Sequence, residues 1–194
     1  MINKKDALVV VDVQNDFLSD GSLPVPNGEA VIPVLNYYIK AFKKRQAKIF
    51  ATRDWHPLNH MSFREFGGMW PPHCIRDTKG AKFHSNLVLP KNSIIISKAT
   101  EPDQEAYSGF EGTNLLKKLE KFKVIRLFIG GLATDYCVKN TVLDALKCGF
   151  RTFFLWDGSR GINANACDIE KSIELMEEYG AKKVILSNFY FWMV

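Results

Sequence analysis

The chain has 194 residues, of which 46% are hydrophobic, 12% aromatic and 24% charged. That composition builds one sizeable core, favours a single domain over residues 1–194, and excludes disordered, collagen-like and low-complexity classes. The formal charge of +5 is not gathered on a nucleic-acid-binding motif, so no nucleic-acid partner is expected. Lys40, Lys43, Lys44, Arg45 and Lys48 close one amphipathic segment, and Lys117, Lys118, Lys121 and Lys123 decorate another, as expected of water-facing helix sides and helix C-termini. No apolar run approaches the roughly 18 residues needed to span a bilayer, and the basic start precedes only a short run at 7–11 that Asp12 stops. Neither a signal peptide nor a membrane partner is expected. Cys74, Cys137, Cys148 and Cys167 include no C-x-x-C pair, and a chain of this size needs no staples, which points to a reducing cytoplasm and to reactive rather than bridged cysteines.

In chain order, residues 7–11 form a short, continuously apolar, β-branched run, the pattern of a strand covered on both faces. Helical spacing follows at Val31, Val34, Leu35, Tyr38, Ile39 and Phe42, then a strand at 48–52. Residues 53–92 carry no clear periodicity, and so long a loop in a compact domain is usually functional. A strand at 93–97 leads to Leu115, Leu116, Leu119 and Phe122 on a helix, and then to a strand at 124–129. Val138, Val142, Ala145 and Leu146 precede Gly149, a strand lies at 152–156, Ile169, Ile173, Met176 and Tyr179 precede Gly180, and a last strand is read at 183–186. Glycine is the usual helix stop. The alternation predicts an α/β fold: a three-layer α/β/α arrangement with an open, mainly parallel six-stranded sheet and helices on both faces.

In such sheets ligands bind beyond the carboxyl edge of the strands, so the residue after each apolar run is a candidate site member. Those residues are Asp12, Asp54 with His56, Lys98, and the loop leading to Cys137. The stretch 130–138 places Cys137 between a strand and a helix, where the positive end of the helix favours a thiolate and free backbone N–H groups can hold an oxyanion. Lys98 would stabilise that thiolate further, and Asp12 would carry its proton to a leaving amine. Asp54 and His56 are two apart, so in extended chain they project to one side. His60 and His73 follow in the same loop. Carboxylate with imidazole suits one divalent ion, zinc foremost, with Fe²⁺ or Mn²⁺ as alternatives. His84 reads as structural. Phe17, Trp70 and Tyr107 stand beside this chemistry as flat walls for a planar ring.

Val10-Val11-Asp12-Val13-Gln14-Asn15-Asp16-Phe17, Asp54-Trp55-His56-Pro57-Leu58-Asn59-His60, Trp70-Pro71-Pro72-His73-Cys74, Lys98 and Gly131-Leu132-Ala133-Thr134-Asp135-Tyr136-Cys137-Val138 together resemble the nicotinamidases of the isochorismatase-like cysteine hydrolases. The metal triplet, Trp70 and Glu105-Ala106-Tyr107-Ser108-Gly109-Phe110 indicate that branch. The resemblance implies an Asp12, Lys98, Cys137 triad and a metal on Asp54, His56 and His73. In some members the histidine matching His60 also ligates, and in others it does not. It further implies a cis peptide at Leu132-Ala133, with the backbone N–H groups of Ala133 and Cys137 as the oxyanion hole. The implied reaction converts nicotinamide, or its analogue pyrazinamide, to the acid and ammonia through a Cys137 thioester in NAD salvage; homo-oligomerisation is left open. Ala99 after Lys98 departs from many relatives, which have glycine there, and Tyr136 before the nucleophile from some, which have histidine; both bear on pocket shape and rate. Two other readings are weighed: another amidase or isochorismatase-like hydrolase of the same fold, and a non-enzymatic metal or redox sensor using Cys137 with the histidine loop.

Overall fold

The computed structural model describes residues 1–189. Strand β1, Asp6–Val11, is buried along its whole length. Its alternate residues enter two different apolar layers: Leu8 and Val10 pack on one side of the sheet, and Ala7, Val9 and Val11 on the other. This two-sided burial is why the run is apolar throughout rather than alternating. It is joined by β2 (Lys48–Asp54), β3 (Ile94–Lys98), β4 (Arg126–Leu132), β5 (Arg151–Arg160) and β6 (Lys182–Val184). The spatial order is β3-β2-β1-β4-β5-β6, and every pairing is parallel.

Helix α1 (Val31–Lys44) buries Val31, Ile32, Leu35, Tyr38, Ile39 and Phe42 and carries Lys43 and Lys44 in its last turn. That face packs on the layer of Leu8 and Val10, together with Phe189 of α5 (Leu186–Phe189). The opposite layer is covered by α2 (Leu115–Lys121), α3 (Lys139–Lys147) and α4 (Asp168–Glu178), through Leu115, Leu119, Val142, Ala145, Ile173 and Met176. Gly149 and Gly180, just past α3 and α4, have φ of 84° and 103°; their left-handed backbone ends each helix. No helix among the described residues is long and apolar enough to cross a membrane.

The strand expected at 183–186 is shorter and shifted: β6 ends at Val184, and Leu186 opens α5. Strand β5 runs on to Arg160, because an irregularity in its pairing with β4 between Ile129 and Gly131 lets Ser159 and Arg160 rejoin the ladder opposite Gly131 and Leu132. Ser159 Oγ donates to Leu155 O at 2.9 Å and accepts from Gly131 N at 3.2 Å, so the irregularity is hydrogen-bonded internally. Gly131 has φ 137°, and a Cβ there would fall on the Val11 carbonyl oxygen. The chain leaves β1 for α1 on one face and β4 for α3 on the other. The adjacent ends of β1 and β4 therefore open a crevice at the carboxyl edge, the place where open parallel sheets hold ligands.

Candidate active site

Ladder register brings the chemistry together. Asp54, the last residue of β2, pairs with Lys98, the last of β3, while Val11 pairs with both Thr52 and Gly131. Asp12, one residue beyond β1, is fully buried with φ 49°. Its Oδ1 accepts from Thr52 Oγ1 at 2.6 Å. Lys98 is 1% exposed. Its Nζ is 3.2 Å from Asp12 Oδ2, donates to Ala106 O at 3.0 Å, lies 3.5 Å from Cys137 Sγ and bonds closely to Asp54 Oδ1. Polar atoms of Asp12, Asp54 and Cys137 all lie within 4.8 Å of one another. A buried ammonium is costly, and here two carboxylates offset its desolvation.

Burial pushes the Asp12 carboxyl above its ordinary range against the pull of Lys98, and Asp54 adds to the rise. Burial opposes the charge on Lys98, but Asp12 and Asp54 outweigh it and hold the ammonium well above its usual range. The Cys137 thiol is raised well above its usual range by burial, with Lys98 opposing and the two carboxylates adding. This corrects the expectation of a thiolate favoured at rest. Cys137 sits inside a π-helical turn, Thr134–Val138, and faces two acids, which together with burial override the pull of Lys98. That direction favours the thiol form at rest, with the Asp12 carboxyl within 4.8 Å of the sulfur. The Leu132-Ala133 peptide is cis. The turn is tied by Tyr136 N and Val138 N, both donating to Ala133 O at 3.1 and 3.0 Å; the Ala133 and Cys137 amides are not among those donors.

Beside these groups, Asp54, His56 and His73 are all buried, with one potential ligand atom from each within 4.8 Å of the others. His56 Nδ1 faces Ala99 O at 3.2 Å and His73 Nδ1 faces Pro71 O at 2.7 Å. A carbonyl only accepts, so each Nδ1 carries the proton and each Nε2 is left with its lone pair, the tautomer a metal requires. His56 Nε2 is buried without a hydrogen-bond partner, 3.7 Å from Asp54 Oδ2. Burial brings His73 down to about 4, which keeps its ring neutral. Burial opposes ionisation of Asp54, yet the Lys98 ammonium, the foremost opposing cause, holds its carboxyl well below the usual range. An orphaned imidazole nitrogen, a second neutral imidazole and an ionised carboxylate fit a divalent cation. The His60 ring lies tilted against His56, 4.1 Å between ring centroids, but both its nitrogens are engaged within the protein. Nδ1 is 2.7 Å from Ser62 Oγ and Nε2 is 3.1 Å from Gln104 O. His60 thus stands apart from the three-residue cluster.

One cleft is lined by Phe17, Trp70 and Tyr107 together with Leu23, Val25, Tyr136 and Ile162, and by Asp54, His73, Ala133 and Cys137. Trp70 Nε1 donates to Tyr107 Oη at 2.9 Å, and Tyr136 meets Trp70 edge-on at 5.2 Å between centroids. Sequence reasoning named Tyr136 as bearing on pocket shape but did not find Thr52, Gln14, Leu23, Val25 or Ile162. Gln14 Nε2 donates to Asp54 O at 2.8 Å and Ala81 O at 2.9 Å, while its Oε1 accepts from Asp54 N at 2.8 Å. A polar Thr at the end of an otherwise apolar strand was the available signal for Thr52; apolar wall residues carry none.

Residues 6–186 match the isochorismatase domain model, and the chain belongs to the isochorismatase family. Within that family its likeness is to the nicotinamidases. It is 34% identical to the nicotinamidase of Escherichia coli, over 94% of this chain and 95% of that protein. The crystal structure of the pyrazinamidase of Pyrococcus horikoshii in complex with zinc superposes with a TM-score of 0.90 at 53% identity, covering 94% of this chain and 99% of that one. The yeast nicotinamidase bound to the inhibitor nicotinaldehyde superposes with a TM-score of 0.86 at 31% identity, covering 93% and 99%.

Proposed function

We propose that this amide hydrolase is a nicotinamidase, converting nicotinamide to nicotinate and ammonia and so serving pyridine-nucleotide salvage. The observation that carries the reading is the convergence of Cys137 Sγ, Lys98 Nζ and Asp12 Oδ2 in one buried crevice beneath an aromatic cleft, with Lys98 3.5 Å from the sulfur and 3.2 Å from the carboxylate. Asp12, raised by burial, accepts the thiol proton as sulfur attacks the carboxamide carbon. Lys98 keeps positive charge beside the sulfur as it becomes anionic. The Ala133 and Cys137 amides receive the oxyanion. The C–N bond then breaks, Asp12 returns the proton to the departing ammonia, and a nicotinoyl thioester remains on Cys137. Asp12 next takes a proton from water as its oxygen attacks the thioester; the C–S bond breaks, Asp12 returns that proton to sulfur to restore the thiol, and the acid formed ionises as nicotinate. Phe17, Trp70 and Tyr107 hold the ring flat. Asp54, His56 and His73 would hold a divalent ion, zinc first, which when bound supplies a Lewis-acidic positive centre for the pyridine nitrogen.

The test is a paired measurement of metal content and of nicotinate and ammonia formed from nicotinamide, with pyrazinamide and aliphatic carbamoyl amides alongside. Equal yields of nicotinate and ammonia are expected. Cys137→Ala should lose about 10⁴-fold or more of the rate while keeping its circular dichroism spectrum and its metal. Ammonia release by that variant near the wild-type rate, or none from metal-loaded wild type, would overturn the proposal.

A further inference from the structure

Asp135 is a buried acid for which the reaction above has no task. It is 4% exposed and stands in the turn that carries Cys137. Both carboxylate oxygens are committed to one neighbouring segment: Oδ1 accepts from Ile162 N at 3.0 Å and Oδ2 from Asn163 N at 2.7 Å. That segment follows β5, and Ile162 lines the cleft with Tyr136 and Cys137. One side chain therefore spans from the nucleophile's turn to the facing wall through two charge-assisted bonds, the short and directional kind. The approach is tight from the other side as well. A Cβ at Gly161 would lie 2.9 Å from Asp135 Oδ1 and 2.5 Å from Ile169 Cγ1. Asn163 holds φ 55°, a left-handed state sustained here by its surroundings.

We propose that Asp135 is a positioning residue that sets the Ile162 wall in register with the Cys137 thiol, so that cleft width and sulfur position are fixed together and select for a flat six-membered ring. The catalytic part of this inference rests on the nicotinamidase reading; the link between wall and thiol does not. A ring pressed on Ile162 meets the sulfur at the right distance only while the carboxylate holds both, and a displacement of about 1 Å can cost about 100-fold in rate.

Asp135→Asn keeps the shape but replaces one acceptor oxygen with a donor, so one of the two backbone N–H groups loses its partner. For nicotinamide, kcat/KM should fall about 10- to 100-fold, with KM rising as well as kcat falling. In wild type the Ile162 and Asn163 amides should be protected from hydrogen exchange; in the variant they should exchange about tenfold faster or more, and the alkylation rate of Cys137 by iodoacetamide, mapped by mass spectrometry, should change. Gly161→Ala presses on the same contact from the opposite end and should move all three readouts, which keeps the test alive should Asp135→Asn fail to fold. Phe42→Leu, loosening the core under the C-terminal end of α1, should lower Tm yet leave KM and exchange at 162–163 unaltered. Unprotected Ile162 and Asn163 amides in wild type, or an Asp135→Asn variant with lowered Tm but wild-type KM, kcat and alkylation rate, would overturn the proposal. If wild type hydrolyses no nicotinamide, the nicotinamidase reading falls, while exchange and alkylation still decide whether Asp135 ties wall to thiol.

Discussion

The acid–ammonium–thiol half of the site and the histidine half are built by different means. Asp12, Asp54 and Lys98 stand at or just past the ends of three adjacent strands, where whole ladders of parallel pairing set their positions. His56, His60 and His73 ride on the long loop, whose regular structure is a short 3-10 turn at Arg64–Phe66 and isolated bridges such as His56 with Ile75 and Phe63 with Trp70. Individual polar ties, rather than a ladder, locate it. His56 N donates to Cys74 O at 3.0 Å, Asp16 Oδ2 accepts from Cys74 N at 2.7 Å, and Gln14 fastens Asp54 to Ala81. The sheet-borne groups are thus fixed many times over, and removing one leaves the frame standing with a charge uncompensated. The loop-borne groups are fixed by separate hydrogen bonds rather than by a ladder, and loss of a tie that touches no ion should move them.

The hardest blow to the first half is Lys98→Met. It leaves Asp12 and Asp54 buried and facing each other, so about 3–5 kcal/mol of stability should be lost, read from urea denaturation, along with most of the turnover. A loss below about 1 kcal/mol would mean that the ladder, not the charge, holds this edge together. For the second half the sharper probe is Gln14→Ala, which deletes three buried hydrogen bonds without removing a ligand. Metal affinity should weaken about 10- to 100-fold in a chelator competition, with about 1–3 kcal/mol of stability lost. Wild-type affinity would show that the loop is held elsewhere. His60→Ala should do least. Both ring nitrogens already have partners in the protein, so metal stoichiometry should persist and affinity should change by less than the roughly tenfold that an orienting group commands. A loss of stoichiometric metal would make His60 a ligand.

The same contrast explains what the sequence made legible. Strands buried on both faces are written as apolar runs, and 7–11 could be read almost to the residue. The extension of β5 was hidden because Asp157, Gly158 and Ser159 interrupt its apolar pattern where the pairing is irregular. The last strand was misplaced because Val184 and Leu186 are equally apolar, although one ends β6 and the other opens a helix. Asp54 and His56 were legible from their spacing, since two-residue separation puts both on one side. The separation of His60 from His73 was not, because Ser62 and Gln104, which occupy the His60 ring, become neighbours only in space. Ile162 and Leu23 gave no sign of lining a cleft, because an apolar side chain reads alike whether it faces core or ligand. The raised Cys137 thiol escaped notice because a helix-start argument counts the chain's own dipole and omits burial first and then the acids brought in by other strands.

At position 131 the chain has a hydrogen atom where any other residue would put carbon, and that carbon would fall on the Val11 carbonyl oxygen. The next residue after Val11 is Asp12, and the turn after β4 carries Cys137. A single methyl group at 131 would act as a wedge driven between the two central strands, prising proton carrier from nucleophile without altering either. So narrow a tolerance belongs here to a residue that takes part in no bond-making step, and the spacing of the reacting pair is set by the thickness of bare backbone.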